Sequence, residues 1–257
     1  AQANFPAKEF ITVPAADGTT QLNGWMIKPS SFDASKRYPV VMIQYSGPNS
    51  QQALDRFGVD WYYALAEEGY IIASVDGRGT GARGEMFRKQ TYLNLGVIES
   101  DDQIAAAKHF ATLPYIDGNR IGIWGWSYGG YNVLMSMSRG GGAFKAGVAI
   151  APVTDWRFYD TVYTERFMRT PQQNKIGYDN GSAIALANKL QGNLLLIHGT
   201  TDDNVHLQNS MEYTRALIEA NKHFDMFMFP DKNHFISGGN SRMYLYNKVI
   251  DYYKRNL

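Results

Sequence analysis

Residues 120–139 read RIGIWGWSYGGYNVLMSMSR. The first seven, Arg120 to Trp126, are nearly continuous in hydrophobicity, which predicts a strand covered on both faces. From Tyr128 to Arg139 the pattern is helical. Between them stands Gly125-Trp126-Ser127-Tyr128-Gly129, a G-x-S-x-G placed where strand turns into helix. A serine on so sharp a turn needs neighbours without side chains, and the turn pushes its Oγ out of the sheet. Amides at the new helix start also favour negative charge developing beside it. The five residues alone can also be read as a glycine-rich packing turn, so partners for Ser127 have to decide.

Working outward, further strands are predicted at Val40 to Tyr45, Tyr70 to Asp76, Ala146 to Ile150, Asn193 to His198 and Phe224 to Phe229. Helices are predicted at Trp61 to Glu68, Ile98 to Leu113, Ser182 to Leu190, Leu207 to Ala220 and Ser241 to Asn256. The last carries Met243, Tyr246, Ile250, Tyr253 and Leu257 as an apolar stripe of helical period. Strand and helix alternating in this way predict an α/β domain over residues 1–257, a mostly parallel twisted sheet with helices on both faces. The first 30 residues read instead as an antiparallel hairpin around a DGTT turn. Between Thr154 and Gly181 the pattern is irregular and aromatic-rich.

The chain has 257 residues, 44% of them hydrophobic and 14% aromatic, which excludes intrinsic disorder. Lys and Arg number 25 against 24 Asp and Glu, and no block of like charge occurs, so nucleic acid is not an expected partner. The absence of cysteine removes disulfides, thiolate nucleophiles and zinc-thiolate sites. No apolar run approaches membrane-spanning length, and AQANFPAKEF lacks the charged segment and apolar core of a signal peptide. A start at Ala1 rather than Met leads to the expectation of a processed chain, or of one cut from something longer.

A hydroxyl at its ordinary pKa is a poor nucleophile, so a histidine must take its proton and an acid must hold that histidine. Five histidines are available. His109 precedes the serine within a helix, His198 ends a strand ahead of every good acid candidate, His206 opens a helix, and His223 lies in the turn before the last strand. His234, in the loop PDKNH just past that strand, is the preferred base. For the acid, Asp202 and Asp203 both qualify, and one of them is expected to cap the helix beginning near Val205. His198, Asp202 and His206 recur every four residues, but they cross a strand, a loop and a helix start, so helical metal-ligand spacing does not apply. Gly79 to Gly84 matches G-x-G-x-x-G, yet no apolar-periodic helix follows, and a structured loop is expected there instead of a dinucleotide site.

Several stretches together are similar to the catalytic domain of the prolyl oligopeptidase family of serine peptidases, in its dipeptidyl peptidase IV branch. They are QYSGPNSQ (Gln44 to Gln51), SVDGRGTG (Ser74 to Gly81), GIWGWSYGGY (Gly122 to Tyr131), APVTDWRFYDTVYTERFM (Ala151 to Met168), HGTTDDNVHLQNS (His198 to Ser210) and the loop holding His234. The resemblance implies an α/β-hydrolase fold with Ser127 as nucleophile, Asp202 as acid and His234 as base. The Tyr45 phenol and the Tyr128 amide are implied as oxyanion donors, since Pro48 has no N–H to offer. Val153, Trp156, Tyr159, Tyr163 and Val205, with Tyr128, are implied as walls of a proline-accepting pocket, and Asn204 as a contact to substrate backbone. Thr164, Glu165 and Arg166 are expected only to support their loop.

No cofactor or metal is implied. The implied activity is release of N-terminal dipeptides with Pro or Ala at the penultimate position, through an acyl-enzyme. A tripeptidyl or acylaminoacyl peptidase, or a noncatalytic interaction domain, is the alternative. A β-propeller carrying a Glu pair for the substrate amine is expected elsewhere in the full protein. Homodimerisation and an extracytoplasmic location (periplasmic, cell-surface or secreted) follow from the resemblance alone.

Overall fold

A computed structural model describes residues 5–257. Its strands are β1 (Glu9–Pro14), β2 (Gln21–Ile27), β3 (Tyr38–Ile43), β4 (Ile71–Val75), β5 (Ile116–Trp126), β6 (Ala146–Ile150), β7 (Asn193–Gly199) and β8 (Asp225–Phe229). They form one sheet in the order β1-β2-β4-β3-β5-β6-β7-β8. The N-terminal hairpin pairs antiparallel with itself and with β4, and every other neighbour is parallel. Strand order reverses between β3 and β5, so the crevice beyond their carboxyl ends is where such a sheet binds ligands. Tyr45 follows one of these strands and Ser127 the other.

The helices are α1 (Tyr62–Glu67), α2 (Glu85–Arg88), α3 (Val97–Phe110), α4 (Tyr128–Arg139), α5 (Thr161–Met168), α6 (Lys175–Asn180), α7 (Gln208–Glu219) and α8 (Ser241–Asn256). Side chains alternate across the pleat, and each face has its own core. Val40 and Met42 of β3 pack with Ile123 of β5 against Phe110 of α3, Val133, Leu134 and Met137 of α4, and Leu217 of α7. Val41, Ile43, Val148 and Ile197 face the other way, against Leu65 of α1 and Leu245, Val249 and Tyr253 of α8. The hydrophobic continuity of the central strands follows from this double cover.

Several elements differ from the sequence pattern. Residues 182–190, expected as an α-helix, form a 3-10 helix at Ile184–Lys189. The irregular segment 154–181 holds α5, α6 and a 3-10 turn at Trp156–Phe158. Each of the three is opened by a side-chain cap: Asp155 accepts from the Arg157 amide, Asp160 from Tyr163 and Asn174 from Gly177. Caps, rather than periodicity, specify these short helices. The buried face of α8 runs through Leu245, Val249, Tyr252 and Tyr253, while Met243, placed on the predicted stripe, is 68% exposed. After the G-x-G-x-x-G loop the chain makes only the single turn α2 and a 3-10 turn at Lys89–Thr91.

One buried ion pair ties three segments together. Asp102 of α3, fully buried, accepts Arg78 Nη2 at 2.7 Å, the Arg78 amide at 2.8 Å and the Ala16 amide at 3.0 Å. The same guanidinium reaches Asp17 in the hairpin turn at 3.2 Å. Removing one partner of a buried pair strands the other charge, so Arg78→Leu is expected to lower unfolding free energy by about 3 kcal/mol. Urea denaturation checks this, with the shift expected in the midpoint at an unchanged slope.

Candidate active site

Ser127 sits between β5 and α4 with φ 59° and ψ −117°, a left-handed backbone that costs a non-glycine residue free energy and marks a functional position. Glycines make room for it. A Cβ on Gly125 would lie 2.2 Å from the Gly129 backbone, and one on Gly129 would lie 2.6 Å from the Gln44 carbonyl. A serine in the N-cap position ordinarily bonds its hydroxyl to the first turn. Here the strained backbone carries the side chain away, no capping bond forms, and Oγ stays free above the sheet.

His234 and Asp202, the pair implied by the resemblance, lie against each other. His234 Nδ1 lies 2.8 Å from Asp202 Oδ2, and both side chains are buried. The other carboxylate oxygen accepts the Asn204 and Val205 amides at 3.0 and 2.9 Å. Burial by itself would raise the Asp202 pKa; His198 and His234 against it, with the Asn204 amide, hold it well below the usual carboxylate range. A carboxylate only accepts, so the proton of a neutral His234 ring sits on Nδ1 and leaves Nε2 bare as a base. Asp203 is exposed. Asp202 therefore bonds the imidazole and also the amides of the following turn, whereas neither aspartate caps a helix near Val205 as expected: α7 starts only at Gln208, with Leu207 at its N-cap and no side-chain capping bond.

The loop bearing the base is latched to the strand bearing the serine. Trp126 Nε1 donates to the His234 carbonyl at 3.0 Å. The Thr201 amide donates to Lys232 O at 3.1 Å, and Gly199 leaves space for the 232–233 backbone to cross β7. No hydrogen bond joins the Ser127 hydroxyl to His234 among the described residues. Such contacts are often long in resting sites and tighten around substrate.

Tyr45 follows β3, and its ring centroid lies 6.0 Å from that of Tyr128, the residue after Ser127. Burial raises its pKa, so it remains a phenol and a donor at neutral pH. Its loop is bolted down by residues that the sequence pattern passed over. Gln44 Nε2 donates to Gly129 O at 2.8 Å, and Gln44 Oε1 accepts Asn132 at 3.1 Å and Ser46 at 2.8 Å. Buried Asp76 accepts the Gln52 and Ala53 amides at 2.9 and 2.8 Å. The 77–81 loop thereby finds its use: the Asn49 amide donates to Gly79 O and the Gly81 amide to Ser50 O.

The aromatic segment closes the side of the site. Trp156 lies 5.3 Å from Tyr128 and 5.9 Å from Tyr159, and Tyr159 lies 5.3 Å from Tyr163. Tyr159 donates to Asn204 Oδ1 at 2.7 Å. Val153 and Val205 are buried. One open groove of about 620 Å³ is lined by Pro48, Asn49, Arg166 and Phe167, and a second of about 560 Å³ by Tyr159, Asp160, Asn204 and His206. His198, set aside as the base, is fully buried with Nε2 2.8 Å from Val205 O and 3.2 Å from Asp202, and Nδ1 2.7 Å from Ser210 Oγ.

An open, mostly parallel sheet with a serine elbow after β5, an acid after β7 and a histidine after β8 defines an α/β hydrolase. Within that class the chain belongs to the prolyl oligopeptidase family, whose model matches residues 57–257. A crystal structure of Porphyromonas gingivalis dipeptidyl peptidase 4 is 59% identical with a TM-score of 0.97, over 99% of this chain and 36% of that one. The protein named "Probable dipeptidyl-aminopeptidase B" in Grosmannia clavigera is 50% identical over 90% of this chain. Its namesake in Paracoccidioides lutzii is 48% identical over 88%. The chain spans only 24% and 25% of the lengths of these two curated relatives.

The elbow geometry makes a direct prediction. Gly125→Ala drives a methyl into the Gly129 backbone and is expected to cost about 3 kcal/mol, the upper end of overpacking. Thermal unfolding measures the loss; a variant as stable as the parent would show that the elbow tolerates a side chain.

Proposed function

We propose that the chain is the catalytic domain of a dipeptidyl peptidase IV-like serine exopeptidase, which releases N-terminal dipeptides with Pro or Ala at the penultimate position. The observation that carries this reading is the Asp202–His234 hydrogen bond, with the His234 loop latched to Trp126, the residue before a strained Ser127. Ser127 Oγ attacks the scissile carbonyl while His234 Nε2 takes its proton. The oxyanion is received by the Tyr128 amide and the Tyr45 phenol. Imidazolium returns the proton to the leaving amine, and the acyl-enzyme remains on Ser127. Water, deprotonated by His234, then releases the dipeptide and restores the serine.

The aromatic box suits a proline ring, which offers flat apolar area and no N–H to satisfy. Asn204, exposed at the mouth, is the contact for the substrate backbone. The remaining length of the relatives accommodates a β-propeller that would supply the anchor for the free amine. Met86, Val162 and Ile176, all at least 75% exposed on the segments inserted around the site, are the apolar surface such a domain would cover. Met243 and Tyr244 on α8, 68% and 51% exposed, are the corresponding surface for a homodimer. An extracytoplasmic location is part of the same proposal, and cell fractionation tests it.

Three measurements test the chemistry. Ser127→Ala is expected to abolish labelling by a fluorophosphonate, and label found on another residue would refute the assignment. Asp202→Asn, which favours the wrong imidazole tautomer, is expected to slow labelling by about 10⁴. Tyr45→Phe removes one oxyanion donor and is expected to lower kcat by about 10² to 10³ on a proline-containing chromogenic dipeptide. Comparing that substrate with its tripeptide and acylated counterparts on the full-length protein fixes the length of the fragment released.

A further inference from the structure

Glu99 is a fully buried carboxyl that the mechanism leaves unused. It lies in the first turn of α3, and its Oε1 accepts the Tyr128 hydroxyl at 2.6 Å. Its Oε2 accepts the Gly96 amide at 2.8 Å, closing the start of α3. Tyr128 follows Ser127 directly, so this bond runs from the helix behind the site to the first residue of α4. The next turn is held in the same way: Tyr131 Oη lies 2.6 Å from Gly181 O and 3.0 Å from Leu95 O. Gly96 allows the approach, because a Cβ there would overlap the Tyr131 hydroxyl.

We propose that Glu99 is a positioning residue for the nucleophile elbow, fixing through the Tyr128 phenol both the amide aimed at the oxyanion and the ring that walls the proline pocket. The proposal rests on the mechanism given above. A phenol has one donor direction, and a buried carboxylate oxygen at 2.6 Å is a strong acceptor for it. The ring of Tyr128 is therefore pinned at both ends, by its backbone at the elbow and by its hydroxyl on α3. Glu99 shares the buried face of α3 with Ser100, Asp102 and Gln103, and burial pushes its carboxyl up to about 7. Loss of the acceptor would leave a buried hydroxyl unpaired and free the ring to turn, which displaces an amide that has to be correct to a fraction of an ångström.

The test uses this chain and a small alkyl fluorophosphonate with no ring to fill the pocket. Glu99→Leu is expected to slow the maximal labelling rate about a hundredfold, with little change in the reagent concentration giving half that rate. Glu99→Gln, which keeps an acceptor, is expected to recover most of the rate. In a Tyr128→Phe background Glu99→Leu should cost nothing further, because contacting residues couple. The same hundredfold loss in that background, a parental rate in a folded Glu99→Leu variant, or no recovery with glutamine would each overturn the proposal. Should Glu99→Leu not fold, Tyr128→Phe keeps the ring and carries the test: it is expected to slow labelling at least about tenfold, and a parental rate overturns the idea. Label persisting in Ser127→Ala would instead sink the underlying mechanism, whereas label dependent on Ser127 but indifferent to Glu99 and Tyr128 would sink only this inference.

Discussion

Gly125 and Gly129 touch backbone to backbone, and the rest of the site is arranged around that closeness. The contact lets β5 turn into α4 within one residue, which forces Ser127 into its left-handed conformation and denies its hydroxyl the usual capping bond. Because Gly129 also lies against the Gln44 carbonyl, the same constraint brings the end of β3 within reach of the elbow. Gln44 then bonds the Gly129 carbonyl, and the Tyr45 ring comes to lie beside that of Tyr128. Ser127 and Tyr45 are thus tied to one packing event at the point where the strand order reverses.

A second constraint concerns charge. Asp202, His198, Glu99, Asp102 and Asp76 are all buried polar groups within or just behind the site. Each has partners: amides for Asp76, a guanidinium for Asp102, a phenol for Glu99, an imidazole for Asp202. Buried polar groups of this kind specify one arrangement when fully satisfied and are costly when one partner is lost. The site sits among these paired groups, which come from both sides of the strand-order reversal.

Much of this was legible in the sequence, for identifiable reasons. The central strands were readable because helices cover both faces, which makes their hydrophobicity continuous, and G-x-S-x-G was readable because glycine spacing is the steric requirement itself. The choice between Asp202 and Asp203 was not, since the two differ only in which way the turn points them. The helices α5 and α6 were hidden because caps rather than apolar repeats define them. Glu99, Gln44 and Asp76 were hidden for a related reason: a buried polar side chain in a periodic segment looks like any surface residue until its partner, 23 to 85 positions away, is known.

The latch between Trp126 and His234 spans 108 positions. During synthesis the serine leaves the ribosome well before the imidazole that would activate it. A chain made only as far as β7 has its elbow but lacks Asp202, His234 and the final strand. On the function proposed above, the three side chains of the site are complete only once β8 and the loop after it have been made.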